Sequence, residues 1–357
     1  MECKKYGVNK ISILFLVLFT CIFGMTLNSY ALQVGFLVGD VYVIRDGRQE
    51  SASMGYSLKN NDLIKTGNGS MAEVRYEDGS IIKIQEKSKV KIITVYGGEQ
   101  DSFSVVAGVV QAHFSKLTKG ATRKLYTPTT VCAIRGTEFQ VAVSDGVDSR
   151  VNMQEGSVEL HNQYGKSSVK GKEQASIPVA GKPEMDTQKQ DIKEWKNKSD
   201  SDFTGDPGKG AERLQKHVEM MKERADRNSE AISEMEKTLP AENDKKDQED
   251  VEDIKAVIST GAMVEDDMYM NQAATGAIEN ILNRYEAEKS EMYDTFLRIK
   301  KESNRVLEQQ QKNYQAIQAV KEAYKKAYGE IMDSHREYMD SIKDTIDKDS
   351  VKPKLEK

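Results

Sequence analysis

The chain has 357 residues, of which 38% are hydrophobic and 31% charged, and its mean hydropathy is -0.63. This length allows roughly two to three domains, but the hydrophobic fraction is low for one large core, so we expect much solvated helix. Residues 32–180 hold 18 Lys and Arg against 16 Asp and Glu, whereas residues 181–357 hold 31 against 40. Neither part has the basic excess of a nucleic-acid-binding protein, and we expect no nucleic acid partner.

The first 31 residues have the layout of a secretory signal peptide. Three lysines within the first ten residues lead into the apolar run ISILFLVLFTCIFGMTL, and the small residues of SYA at 29–31 precede Leu32. We therefore expect export to the periplasm, the cell envelope or the medium, with cleavage before Leu32. The alternative is that the segment is retained as an anchor and supplies the chain's contact with the membrane.

Residues 32–180 predict an all-β domain. In MAEVRYEDGSIIKI two strand-like segments flank an Asp-Gly hairpin signal. A weak repeat of the form Gly-x-Val-x-apolar begins at Gly39, Gly108 and Gly156, and we expect each glycine to open a strand. Stacked coils of a short β-helix and the two sheets of a β-sandwich both account for this recurrence. The sequence leaves these two folds open.

A row of lysines alternates with apolar residues between positions 82 and 92. Because strand side chains point alternately to opposite faces, this alternation predicts one buried face and one exposed lysine face. The lysines considered as a partner surface are Lys83, Lys87, Lys89 and Lys91. Such a row attracts an anionic polymer or else prevents edge-to-edge aggregation. The near-neutral charge of residues 32–180 favours the second interpretation.

The remaining sequence predicts a helical region behind a linker. Residues 181–210 are polar and rich in glycine, which predicts a flexible linker, and residues 211–347 predict helices. Within them, apolar residues from Ile278 onward recur in steps of four and three, which predicts a long coiled-coil-like helix over about residues 272–347. Packing against residues 211–239 and self-association as a stalk both explain this pattern. Residues 348–357 predict a disordered tail.

The sequence contains no recognisable arrangement of catalytic or metal-binding residues. Cleavage before Leu32 leaves Cys132 as the lone cysteine, which is typical of a small buried hydrophobe. The four histidines are not spaced as metal ligands, and no phosphate-binding loop or nucleophile elbow is present. We therefore predict a protein that is not an enzyme and that needs no cofactor or metal.

Several segments resemble the FecR domain family. YTPTTVCAIRGTEFQVAV has a Thr-Pro pair, an apolar strand and an Arg-Gly-Thr triplet, and LKNNDLIKTGNGSMAEVRYEDGSIIKI precedes it in the same order as in the family. The resemblance covers about residues 35–178. Its signature residues are Asp62, Thr66, Gly67, Asp78, Gly79, Thr127, Pro128, Arg135, Gly136 and Thr137.

The resemblance implies an extracytoplasmic, non-enzymatic β domain. Founding members of the family are iron-uptake regulators with a cytoplasmic anti-sigma segment, but here only about ten residues precede the apolar run. We expect an envelope protein whose β domain binds a protein or a cell-wall polymer and whose helices act as a spacer or in self-association. The alternative is a periplasmic signalling component. At the Arg-Gly-Thr triplet we expect Arg135 to stabilise a corner of the fold rather than to bind a ligand.

Overall fold

The structure, a computed structural model, describes residues 32–94, 101–115, 123–134, 138–239 and 248–350. The predicted signal peptide lies outside these residues, as does most of the predicted tail. Residues 348–350 of that tail belong to the last helix. Among the described helices, none is both long and apolar enough to cross a bilayer.

Strands occupy the described residues up to Met185 and form two sheets. The first sheet has the order β1 (Gln33–Val38), β5 (Met71–Arg75), β6 (Ile81–Ile84), β8 (Ser102–His113), β11 (Glu138–Val143), β12 (Ser149–Glu155), β15 (Gln174–Ile177) and β16 (Glu184–Met185). The second has the order β3 (Arg48–Ser51), β2 (Val41–Arg45), β4 (Leu63–Thr66), β7 (Lys89–Thr94), β8, β9 (Arg123–Tyr126), β10 (Val131–Ile134), β13 (Ser157–Asn162) and β14 (Gly165–Lys170). Strand β8 belongs to both sheets and joins them.

Strand β8 crosses from one sheet to the other at Gly108. Its first half pairs with β7 and β9, and its second half pairs with β6 and β11. Gly108 has a φ of +94°, and an added Cβ would lie 2.5 Å from Ser88 Cα, so only glycine fits there. Gly108 therefore lies inside a strand, which differs from the expectation that it opens one.

The core lies between the two sheets. Val74, Ile82 and Val141 of the first sheet and Ile64 and Val90 of the second are fully buried in one cluster. Cys132 is buried in the same cluster, as predicted. The described strand pairs are antiparallel except for β8 with β9. This is the arrangement of a β-sandwich, because a β-helix stacks parallel strands, and the predicted all-β fold is confirmed.

The segment predicted as a flexible linker, residues 181–210, is structured. It contains β16 and helix α1 (Ile192–Gly205), whose first turn is capped by the side chain of Asp191. Of the apolar residues of α1, Ile192 and Phe203 are buried and Trp195 is half-buried. Three apolar residues on one helical face are too few to stand out in a polar segment, and this explains why the sequence-based prediction of a linker was wrong.

The other helices form an intramolecular bundle. They are α2 (Pro207–Lys237), α3 (Gln248–Ala287) and α4 (Tyr293–Ser350). The single long helix predicted from about residue 272 is wrong, because the chain reverses between α3 and α4 and Lys289 there has a φ of +51°. Helix α4 packs against both α2 and α3.

The predicted seam is nevertheless the buried face of α4. Phe296, Ile299, Val306, Ile317 and Val320 are buried against α2 and α3. The polar seam positions make hydrogen bonds across the bundle, at Ser303 with Thr275, at Gln310 with Asn228 and at Asn313 with Ala225. These bonds select one register of the helices. Among the described residues the seam packs within one chain; self-association of the helices remains a prediction.

Candidate functional site

The turn between β11 and β12, residues 144–148, inserts into the helical bundle, and we call it the hairpin tip. Val147 is fully buried in one cluster with Phe203 of α1, Leu214 of α2 and Ala274 of α3. Its φ is +74°, a conformation that costs a β-branched residue about 1–3 kcal/mol. The contacts with three helices hold this strained turn, which makes the tip a fixed connection between the β domain and the bundle.

Two aspartates of the hairpin tip form ion pairs with the helices. Asp145 pairs with Lys196 of α1 at 3.4 Å and with Arg284 of α3, and Asp148 pairs with Arg213 of α2. Burial raises the pKa of Asp145, but the charges of Lys196 and Arg284 outweigh burial, and the pKa lies below its usual value. The carboxylate form of Asp145 is therefore stabilised in the docked arrangement.

A second polar contact joins helix α3 to the second sheet. The carboxylate of Asp266 accepts hydrogen bonds from Lys124 Nζ at 2.7 Å and from the Tyr126 hydroxyl at 3.1 Å, and it lies 3.2 Å from His161 Nε2. Burial raises the pKa of Asp266, but the hydrogen bond from His161 and the charge of Lys124 lower it below its usual value. Together with the hairpin tip, this cluster fixes the bundle to the β domain.

The variant Asp266→Asn is expected to lower the free energy of unfolding by about 1–2 kcal/mol, because it removes the charge of a mostly buried, multiply paired carboxylate and keeps its shape. Chemical denaturation near pH 7 measures this loss. Asp253 is exposed on the same helix, so Asp253→Asn serves as the matched control and should change stability little. An equal effect of both variants would mean that the Asp266 cluster does not stabilise the docking.

A groove of about 680 Å³ lies where the β domain meets helices α1 and α2. Its floor is the outer face of β12 and β15, and its walls are β16 with the segment after it and α1 with the start of α2. Its cationic lining residues are Arg150, Lys198, Lys209 and Arg213, and its acidic ones are Asp148, Glu184, Asp186, Asp202 and Asp206. The charge of the lining is thus nearly balanced.

Arg150 and Trp195 line this groove next to each other, and the side chain of Arg150 is only 3% exposed. The guanidinium of Arg150 pairs with Asp186 at 2.7 Å and donates to Gln174 Oε1 at 2.7 Å and Ser176 Oγ at 2.9 Å. It also lies 5.8 Å from the centre of the Trp195 ring, within cation–π range. The sequence did not identify Arg150, since its partners lie up to 45 residues away. Trp195 is the single tryptophan of the chain, and the sequence left open whether it packs against the β domain, begins a short helix or contacts a partner.

The first group of predicted signature residues stabilises the second sheet. The carboxylate of Asp62 is buried and accepts hydrogen bonds from Arg45 at 2.6 and 2.8 Å. Thr66 Oγ1 accepts from Ser88 N at 2.9 Å, beside the crossing point of β8. The backbone N–H of Gly67 bonds to the chain just before β2. These contacts are internal, which supports a structural role for this part of the signature.

The Asp78–Gly79 turn holds a buried arginine that the sequence did not reveal. Asp78 accepts from Ser80 N at 2.9 Å and from the Arg123 guanidinium at 2.8 Å, and Gly79 has a φ of +82°. Burial raises the pKa of Asp78, but its bonds to Ser80 and the charge of Arg123 bring that pKa below its usual value. No local pattern links Arg123 to a turn 45 residues earlier.

The remaining signature residues lie around strand β10. Thr127 Oγ1 accepts from Thr130 N at 3.1 Å and from Ser149 Oγ at 2.9 Å, and it forms a tight turn with Pro128. Arg135, Gly136 and Thr137 lie outside the described residues. The strands on either side of that triplet, β10 and β11, belong to different sheets. The corner role of Arg135 stays a prediction.

The four lysines of the predicted lysine row do not form one surface. Lys83 lies on β6 in the first sheet, whereas Lys89 and Lys91 lie on β7 in the second, and Lys87 lies in the turn between them. Lys89 donates to Asn280 of α3, and burial lowers the pKa of both Lys89 and Lys91. The expectation of a continuous lysine surface is wrong, because the chain changes sheets between β6 and β7.

Comparison with known proteins places these features in context. Residues 62–159 match the family model described as FecR protein. Two crystal structures of a "putative anti-sigma factor" from Parabacteroides distasonis ATCC 8503 match with TM-scores of 0.33 and 15% identity. In each case the match covers 37% of this chain and 63% of the other, so it spans less than two thirds of the matched chain. A likeness at this level carries no argument about function. A search of the curated proteins found no significant match.

Proposed function

The chain carries a FecR domain at residues 62–159, and from this premise we propose that it is a non-enzymatic protein of the bacterial envelope. The predicted signal peptide exports it, and the FecR domain binds a protein or cell-wall partner. The helical bundle is docked on the domain and contributes to the binding surface. This role differs from the free spacer that the sequence alone suggested.

The observation that supports this proposal is the groove shared by the two parts of the chain. Arg150 and Asp186 come from the β domain, and Trp195, Lys198 and Arg213 come from the helices. A concave site between two packed units, with an aromatic side chain and a few convergent polar groups, is the usual form of a binding site. Neither part alone forms this groove.

Affinity capture from envelope extract with residues 32–357 tests the proposal. The double variant Lys198→Glu, Lys209→Glu reverses two charges in the groove and should lose a partner that the wild type retains, by tenfold or more in captured amount. Lys216 and Lys222 are exposed on α2 outside the groove, so Lys216→Glu, Lys222→Glu is the control. Equal capture by all three proteins would contradict binding through the groove.

The position of the hairpin tip favours a second candidate function, that of a periplasmic signalling component. Asp148 lines the groove and also pairs with Arg213 at the connection between domain and bundle. A partner in the groove contacts both sides of this connection and thereby changes the stability of the docked arrangement. Binding of the partner then changes the stability of the docking of the helices on the β domain.

Transcript profiling tests the signalling function. Strains that carry the wild-type gene, a deletion or Asp145→Asn with Asp148→Asn are compared, because the double variant weakens the ion pairs of the hairpin tip. A signalling role predicts one coherent set of genes that responds to both the deletion and the variant. The absence of such a set in the deletion strain would remove support for signalling and leave the binding role unaffected.

A further inference from the structure

The groove has the size and enclosure of a site for a small ligand or for a short segment of a polymer. Its volume of about 680 Å³ lies within the range of roughly 300–1,000 Å³ that ligand pockets occupy. The floor is sheet and one wall is helix, so the site rests on rigid elements rather than on long loops. Its shape therefore exists before a ligand arrives.

The charge of the lining limits the class of ligand. Four cationic and five acidic side chains line the groove. A polyanion such as nucleic acid or a phosphate-rich polymer requires a basic excess, and the acidic side chains would repel it. The lysines and arginines would likewise repel a polycation. A ligand without net charge fits this lining best.

The lining of the groove offers the half-buried ring of Trp195 beside fixed polar groups. Trp195 is half-buried beside Val109 and Ala142, so its position is set by packing. Arg150, whose side chain is only 3% exposed, bonds to Asp186, Gln174 and Ser176 and holds these polar side chains in fixed positions. Sugars have apolar C–H faces, which pack on an aromatic ring, and hydroxyl groups at their edges, which bond to such fixed polar groups.

Building on the proposed function, we propose that this groove is a binding site for a neutral oligosaccharide, with Trp195 as the ring on which one sugar unit packs. The carboxylate of Asp186 and the side chains of Ser176 and Ser199 are partly exposed in the lining and face the sugar hydroxyls, whereas the buried Arg150 holds Asp186 in place. The cell-wall alternative among the expected partners is thereby narrowed to an uncharged glycan segment. No reaction is implied.

Titration of residues 32–357 with a tetramer of β-1,4-linked N-acetylglucosamine tests the proposal. Because Trp195 is the only tryptophan in the chain, its fluorescence reports on the groove directly, and calorimetry measures the same affinity independently. We expect a saturable change in emission and protection of Trp195 from a soluble quencher. Trp195→Ala should weaken calorimetric binding about tenfold or more, whereas Trp195→Phe, which keeps a ring, should weaken it about threefold.

Lys193 is exposed on the same helix outside the groove, so Lys193→Ala is the matched control and should bind as the wild type does. Thermal melting of each variant confirms that it is folded. Unchanged affinity in Trp195→Ala, or no saturation by the wild type up to about 10 mM sugar, would overturn the proposal. Saturation by an extended peptide of mixed charge but not by the tetramer would assign the groove to a protein partner instead.

The result is separable from the proposed function. If the sugar fails to bind but the groove charge variant still loses a captured envelope protein, the oligosaccharide assignment fails and the binding role stands. If the sugar binds but capture is unaffected by the charge variant, the oligosaccharide site stands without a protein partner there.

Discussion

Replacing Arg123 with alanine is expected to lower the free energy of unfolding by about 3–5 kcal/mol. The Arg123 side chain has 0% exposure and lies in the β domain between the rings of Tyr76 and Phe114, 4.7 and 4.9 Å from their centres. Its guanidinium also bonds Asp78 at 2.8 Å and Ser80 Oγ at 2.6 Å. Alanine leaves a cavity between two aromatic rings and removes the charge that faces Asp78.

Two further variants separate these contributions. Arg123→Met keeps most of the volume and loses the charge, so it should be less destabilising than Arg123→Ala by the cost of the cavity. Arg48 is exposed on β3, and Arg48→Ala should change stability by less than about 0.5 kcal/mol. Denaturant unfolding followed by circular dichroism measures all three. A loss below about 1 kcal/mol in Arg123→Ala would show that the buried arginine does not stabilise the β domain at the Asp78–Gly79 turn.

Acidification from pH 6.5 to about pH 4 is expected to cost the wild type about 3 kcal/mol of stability through His217 alone. His217 is 1% exposed on α2, and burial lowers its pKa to about 4, an effect that the carbonyl of Pro128 opposes in part. Neither ring nitrogen makes a hydrogen bond of normal geometry among the described residues. The native state therefore holds His217 neutral.

Acid lowers the free energy of unfolding because the native and unfolded states bind protons differently at His217. Between pH 6.5 and 4 the unfolded chain protonates His217 and the native protein does not, so acid favours unfolding. This contribution to stability is complete above pH 6.5 and is lost as the pH falls toward 4. Asp145 and Asp266 have pKa values below their usual ones, so their contributions are lost in more acidic solution.

His217→Leu should remove this dependence, because leucine cannot bind a proton and suits the buried position. Urea unfolding of both proteins at about pH 7 and about pH 4.5 gives the difference between them, in which contributions of the carboxylates cancel. We expect the wild type to lose about 2 kcal/mol more than the variant over this pH interval. Parallel losses in the two proteins would mean that His217 is protonated in the native state.

The FecR signature illustrates what local sequence predicts well. Asp62, Thr66 and Asp78 lie in turns or at strand ends, and the structure gives each the internal hydrogen bonds that suit its position. The partners of these residues were not predictable, because Arg45 and Arg123 approach from strands 17 and 45 residues away. The groove was equally hidden, since its floor comes from the predicted β domain and its walls come mainly from the segment predicted as a flexible linker.

In helix α4, too, the sequence predicted the local feature but not the long-range one. The period of its apolar residues identified the buried face, because a helix repeats every 3.6 residues wherever it packs. The period did not reveal the reversal at Lys289, since that residue falls on a seam position and the apolar pattern continues on both sides of it.

The sequence by itself determined the β and helical halves, the hairpin turns, the buried face of α4 and the FecR signature, because these depend on residues close together in the chain. Only the tertiary structure decided that β8 joins two sheets, that the lysine row is divided, and that the hairpin tip docks the helices and forms the groove with them. The periodic spacing of apolar residues indicates which face of a helix or strand is buried. Which element covers that face depends on contacts between distant residues, and a single local pattern does not contain them.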